Sequence, residues 1–160
     1  MRLRPASQTE EDVRVLREML AWAAGWRHAE LNEGLLLNPT IALYLEEWGR
    51  PGDAGAIAES ENAKPLGAAW YRQFAKNQHG YGFISPEIPE LSVGVAPEHR
   101  GRGIGTALLE ALVERAQQEG APALSLSVEE DNPALRLYER LGFRRVARTG
   151  DALTLRRDLR

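Results

Sequence analysis

The sequence contains no cysteine. That excludes disulfides, zinc–thiolate centres and any cysteine acyl-enzyme. The same absence suits a reducing compartment, and the cytoplasm is the expected location. Lysine is nearly missing too: Lys64 and Lys76 are the only two among 20 basic residues. Against 23 acidic residues these leave a net charge of −3, so no field of one sign points to nucleic acid. No apolar run is long enough to cross a bilayer, and a membrane partner is not expected. Met1-Arg2-Leu3-Arg4-Pro5 leads into a charged stretch without the apolar centre of a leader. His28, His79 and His99 have no ligand-like spacing, so no metal is expected.

What the chain does have is an ordinary globular mixture, 43% hydrophobic and 27% charged over 160 residues. One domain covering 1–160 is expected, large enough to bury a core unaided. Residues 2–5 read as a first strand. Thr9 is a suitable helix N-cap, followed by Val13, Leu16, Leu20 and Ala24 at helical spacing. A weaker helix is expected after Pro39 through Ile41, Tyr44 and Trp48, until Gly49-Arg50-Pro51-Gly52 breaks it. Residues 55–59 and 66–74 read as an antiparallel pair. Residues 76–89 hold Gly80, Gly82, Pro86 and Pro89 and read as a loop near a site. Then follow a strand at 91–95, an amphipathic helix at 103–120, a strand at 123–128, a helix at 133–141, and strands at 143–147 and 152–157.

The chemistry concentrates between residues 91 and 106. A strand ends at Val95-Ala96-Pro97, then Arg100-Gly101-Arg102-Gly103-Ile104-Gly105-Thr106 opens a helix. Free N–H groups and the positive helix end meet there, which favours a phosphate. Glycines allow close backbone approach, and Arg100 and Arg102 add charge. A Walker A loop needs a lysine that is absent here, and a dinucleotide fingerprint needs a glycine where Thr106 or Leu108 stands. The competing reading is a glycine-rich turn that only caps a helix.

Arg100-x-x-Gly103-x-Gly105, with Val95-x-Pro97 before it, resembles the Gln/Arg-x-x-Gly-x-Gly/Ala pattern of the GNAT (Gcn5-related) acetyltransferases. Downstream, Asp131-Asn132-Pro133-Ala134-Leu135-Arg136-Leu137-Tyr138-Glu139-Arg140-Leu141-Gly142-Phe143 resembles the same family's Asn…Ala…Leu-Tyr…Leu-Gly-Phe signature. Together the two segments span about a third of the chain. One departure stands out: Asn132 to Tyr138 is six positions, one fewer than in many members, so Asp131 occupies the register of the usual asparagine.

The resemblance implies an α/β domain of GNAT type. Its centre is a mostly antiparallel sheet with two splayed parallel strands, flanked by helices. It implies acetyl-CoA as co-substrate, with the pyrophosphate on Arg100, Gly101, Arg102, Gly103, Ile104, Gly105 and Thr106. The pantetheine arm would pair with the backbone of Val93, Gly94 and Val95 like an added strand, and Asn132 would contact the cofactor. Tyr138 would protonate the departing thiolate; its competing role is plain core packing. Transfer would go by direct attack to a primary amine on a small molecule, peptide or protein. Members are often homodimers, which makes a homodimer a candidate assembly. The alternative is a non-catalytic acyl-CoA-binding sensor or regulatory module, which needs the glycine loop but no acid or base.

Two carboxylates are candidates for the proton acceptor, Glu90 first because a strand fixes it better than a loop, and Glu87 as the fallback. Glu90 begins the strand that carries the thioester site, and Glu87 lies in the loop before it. Either could take the amine proton through water, bind the ammonium, or stay solvated. Ser127 on the other splayed strand is a place for a water or an ordinary strand serine. His99 is expected on the surface at the glycine turn. Residues 26–37 and 74–89 are expected to line the acceptor site, with Trp70 and Tyr71 at its border.

Overall fold

The computed structural model describes residues 1–160. Seven strands form one sheet: β1 (Arg2–Pro5), β2 (Ala54–Glu59), β3 (Pro65–Arg72), β4 (Glu90–Val95), β5 (Ala123–Glu129), β6 (Arg144–Thr149) and β7 (Ala152–Asp158). Their order is β1-β2-β3-β4-β5-β7-β6, and every neighbouring pair is antiparallel except β4–β5. The helices are α1 (Glu10–Ala24), α2 (Pro39–Ala42), α3 (Ile104–Gln118) and α4 (Ala134–Arg140). This is the mixed sheet with one parallel pair that the sequence led us to expect.

Local chemistry accounts for the elements. Thr9 caps α1 by accepting from the Asp12 N–H at 3.2 Å. Asp12 is itself buried and takes both Arg4 amino groups at 2.9 and 2.7 Å and the Ser7 N–H at 2.7 Å, which ties the helix to β1. One core lies between the sheet and α3 with α4, around Leu108, Leu112, Leu124, Leu126 and Leu155. A second lies on the opposite face under α1, around Leu16, Met19, Ile57 and Trp70. The alternation of β-strand side chains assigns residues to these two faces.

The segment between α1 and β2 departs from the expectation. Helix α2 is a single turn, and a 3-10 turn at Glu33–Leu37 precedes it. Asn32 and Asn38 side chains cap the two, accepting from Gly34 N at 3.0 Å and Thr40 N at 2.9 Å. Residues 43–47 continue as turns, and the positive φ of Glu47 and Gly49 stops any helix from running on through residue 48. Arg72, fully buried, fixes this segment by donating to the Leu43 and Glu46 carbonyls at 2.8 Å each while bridging Asp53 at 2.6 Å. No helix is long and apolar enough to cross a membrane.

Candidate active site

Strands β4 and β5 start together and then part. Their only register pair is Glu90 with Ser125, next to the Ser125 N–H to Pro89 carbonyl bond at 3.0 Å. Beyond it β4 keeps its partner β3, and β5 keeps β7. The parting opens a cleft of about 1050 Å³ that runs from the start of α3 to the end of α1. Val93, Gly94, Val95, Leu126, Ser127 and Val128 form its floor. Gly94 is needed for a second reason: a Cβ there would stand 2.1 Å from the Met19 carbonyl oxygen, so α1 lies directly on β4.

At one end is the glycine turn. Gly101 and Gly103 have φ of 77° and 80°, a region that disfavours side chains. The N–H groups of residues 101–106 make no hydrogen bond within the protein. Six consecutive free donors at a helix N-terminus suit an anionic diphosphate. Gly101, Gly103, Ile104, Gly105, Thr106 and Arg100 all line the cleft. Arg100 is anchored by its Nε to the Val95 carbonyl at 3.0 Å, and partial burial lowers its pKa. These residues fit the phosphate half of a coenzyme A. Arg102 is exposed and does not line the cleft, because the turn carries its side chain outward. His99 corrects the surface expectation. A short 3-10 turn at Pro97–His99 folds it inward, so its side chain is 13% exposed and both ring nitrogens are buried without a hydrogen-bond partner.

Tyr138 and Asn132 come from the α4 side. Asn132 caps α4 by accepting from the Ala134 N–H at 2.9 Å, and it lines the cleft. Asp131, in the usual asparagine's register, instead pairs with Arg27 at 2.7 Å. Tyr138 is buried against Phe143, with ring centroids 6.3 Å apart. Its hydroxyl has no hydrogen-bond partner in the protein, and burial pushes its pKa above the usual tyrosine value. The phenol therefore keeps its proton throughout the neutral range.

The other end is aromatic. Trp22, Trp26, Ile41, Tyr44 and Tyr81 wall it, and Arg27 joins Glu129 at 2.7 Å. Glu90 sits at its base, 2% exposed. Its Oε2 accepts from the Tyr44 hydroxyl and from the Gly82 N–H at 3.0 Å, while Oε1 has no partner. Burial raises its pKa to about 7, with the Tyr44 and Gly82 hydrogen bonds pulling the other way. Glu87 is exposed and outside the cleft, because the loop turns away there. Trp70 and Tyr71 are core residues, not border residues: Trp70 donates to the Tyr44 carbonyl at 3.1 Å, and Tyr71 bonds Glu119 on the opposite face. Trp26, Arg27 and Tyr81 come from the two stretches expected to line the acceptor site, while residues 28–37 do not reach the cleft. Tyr44 and Trp22 escaped the sequence reading, since nothing local marks Tyr44 as a neighbour of Glu90, 46 positions away.

This arrangement is a split mixed sheet whose cleft ends in a turn of free backbone N–H groups. The chain belongs to the acetyltransferase (GNAT) family, whose sequence profile matches residues 14–143. A mycothiol acetyltransferase from Corynebacterium aurimucosum is 33% identical over 140 residues, 83% of this chain. An L-2,4-diaminobutyric acid acetyltransferase from Nocardia farcinica is 38% identical over 113 residues, 68% of this chain. The chain spans 42% and 52% of the lengths of these two relatives. Among solved structures, a ribosomal-protein-alanine N-acetyltransferase from Brucella melitensis superposes with a TM-score of 0.72 at 29% identity, covering 99% of both chains. The fold is shared by an N-acetyltransferase from Thermoplasma acidophilum solved with coenzyme A, at a TM-score of 0.65 and 18% identity over 99% of both chains.

Proposed function

We propose that the protein transfers an acetyl group from acetyl-CoA to a primary amine by direct attack within a ternary complex. The observation that carries this reading is the pairing of two unlike groups in one cleft. Tyr138 offers a protonated hydroxyl free of partners, and Glu90 is a buried carboxylate with a pKa of about 7. Burial raises both: it keeps the phenol protonated, as an acid must be, and brings the carboxyl into the neutral range, where it can take up and release a proton.

Acetyl-CoA would place its pyrophosphate on the free N–H groups of residues 101–106 and its pantetheine arm along the unpaired edge of β4. The cofactor supplies an activated thioester. A backbone N–H of β4 is suited to stabilise the oxyanion. The neutral amine enters from the aromatic end. As its nitrogen bonds the carbonyl carbon, the excess nitrogen proton passes to Glu90, directly or through water. The carbon–sulfur bond breaks, and the thiolate takes the Tyr138 proton. Exchange with solvent then returns a proton to Tyr138 and removes one from Glu90.

The test is thiol release from acetyl-CoA over a panel of amines. The panel starts from the acceptors suggested by the relatives' names: L-2,4-diaminobutyric acid, a peptide with N-terminal alanine, and a mycothiol-type amine. Amine-dependent thiol release supports transfer. Coenzyme A binding by calorimetry without release on any amine supports the acyl-CoA-binding module instead.

A further inference from the structure

Glu90 is held by more than its own strand. The Tyr44 hydroxyl that donates to Oε2 also accepts the Tyr81 N–H at 2.8 Å. The adjacent Gly82 N–H reaches the same Oε2 at 3.0 Å. One phenol and one carboxylate therefore bind two successive backbone amides of the loop that precedes β4. The loop comes this close only through its glycines. A Cβ on Gly80 would stand 2.4 Å from the Tyr44 hydroxyl and 2.8 Å from Glu90 Oε1, and one on Gly82 would stand 2.6 Å from the Leu126 carbonyl carbon. Tyr44 is fixed in turn. Its ring meets Phe74 edge-on at 5.6 Å, and its carbonyl accepts from Trp70.

The other polar groups around Glu90 are committed elsewhere or make no bond to it. Its β3 neighbour Arg72 is turned to Asp53 and to the Leu43 and Glu46 carbonyls. Its β5 neighbour Ser125 leaves its hydroxyl unpartnered. His79 stacks on Phe83 with Nδ1 2.8 Å from the Gly80 carbonyl oxygen. Arg27 pairs with Glu129 and Asp131. Tyr44 is the single side chain hydrogen-bonded to Glu90.

We propose that Tyr44 is a positioning residue for the transfer: its hydroxyl pins Oε2 of Glu90 against the Tyr81–Gly82 backbone and leaves Oε1 as the atom that takes the acceptor's proton. The inference rests on the reading of Glu90 as proton acceptor. The proton moves from nitrogen to Oε1, and no other bond at Glu90 is made or broken. Because a donated O–H favours the ionised carboxylate, loss of the Tyr44 hydroxyl raises the Glu90 pKa. The fraction ionised, and the rate that depends on it, then rises only at higher pH.

The experiment uses Tyr44→Phe in the full chain, which keeps the ring and its contact with Phe74. Two readouts are taken: the Glu90 carboxyl titration by carbon-13 NMR, assigned with Glu90→Gln, and the pH profile of kcat/KM on one responsive amine. The titration and the rising limb are expected to move to higher pH together. At a pH below both limbs, a shift of one unit lowers the rate about tenfold. Above the limb the variant regains the wild-type rate, and the KM for acetyl-CoA stays constant. An unmoved Glu90 titration overturns the positioning role, whether or not an acceptor has been found. A loss uniform across pH assigns Tyr44 to packing and also overturns the proposal. If the titration moves while the limb stays and Glu90→Gln keeps full kcat, it is the reading of Glu90 as proton acceptor that fails.

Discussion

Tyr138→Phe removes one oxygen atom and nothing else. In the structure that oxygen makes no hydrogen bond, so no protein partner is stranded by its loss. The ring keeps its packing on Phe143 and its place in the core beside Leu135. The change in folding stability should therefore be small, about 1 kcal/mol or less, since replacing the unpartnered hydroxyl of a buried residue strands no other group. Cofactor affinity should hold as well, since the diphosphate donors lie on residues 101–106, away from α4's tyrosine. The rate is a different matter. Loss of a positioned general acid costs on the order of 10² to 10⁴ in turnover, about 3 to 5 kcal/mol of barrier. Burial raises the phenol's pKa, so its protonated form is complete at neutral pH and no falling limb from this group is expected there. The assay is kcat by thiol release beside calorimetric coenzyme A affinity and a thermal melt. A Phe variant with wild-type kcat and an unchanged melt would refute the acid role and return Tyr138 to the core.

Further outcomes follow from the same geometry. Gly103→Val forces a β-branched residue into φ of 80° beside the free N–H groups, so calorimetry should show coenzyme A affinity lowered by tenfold or more, on the order of 1.4 kcal/mol. Gly94→Ala puts a Cβ 2.1 Å from the Met19 carbonyl oxygen, and denaturant unfolding should register a loss of about 1 to 3 kcal/mol from overpacking. Asp12→Ala removes Arg4's partner at 2.7 Å and the acceptor of the Ser7 N–H; because Arg4 is part-exposed and keeps Glu59 at 3.1 Å, the cost should be about 1 to 2 kcal/mol, read as a lower thermal midpoint. The hydrogen bonds from Arg4 hold the Asp12 carboxyl well below the usual carboxylate range. Its contribution is thus full above the unfolded pKa of about 4 and fades as pH falls towards the lower folded value. The wild-type advantage over Asp12→Ala should shrink in acid accordingly.

The parts of the site legible in the sequence are those whose physics is local. Gly101 and Gly103 announce positive φ, and the amphipathic helix behind them announces free N–H groups within a few residues. Tyr138 and Asn132 share one short helix and its cap. Glu90 could be preferred to Glu87 from its place at the start of a strand, but its burial and its partners could not be read, because they depend on Tyr44, 46 positions away, and on a loop folded back by Gly80 and Gly82. The stretch from residue 25 to 49 gave the poorest reading. Its two short turns are stabilised by Asn32, Asn38 and the distant Arg72, not by a hydrophobic period. His99 misled for a similar reason: three residues of 3-10 turn decide which way a side chain faces, and composition does not.

The lone rung between Glu90 and Ser125 has a mechanical consequence. Strands β1 to β4 make one leaf, and β5, β7 and β6 make another, joined by full ladders inside each leaf. Between the leaves the backbone offers a pivot at one end and no tie at the other. The second leaf is then a cantilever, steadied along its length by α3, whose side chains pack on both β3 and β5. At the open end the tie between the leaves is made by side chains: Arg27, just after α1, pairs with Glu129 and Asp131 at 2.7 Å, so an ion-pair cluster and not a backbone ladder spans the cleft beside Val128. If Glu90 is the proton acceptor, the ladder rung would fix the geometry where the proton passes, and only exposed side chains would have to part where a long, jointed molecule enters and leaves.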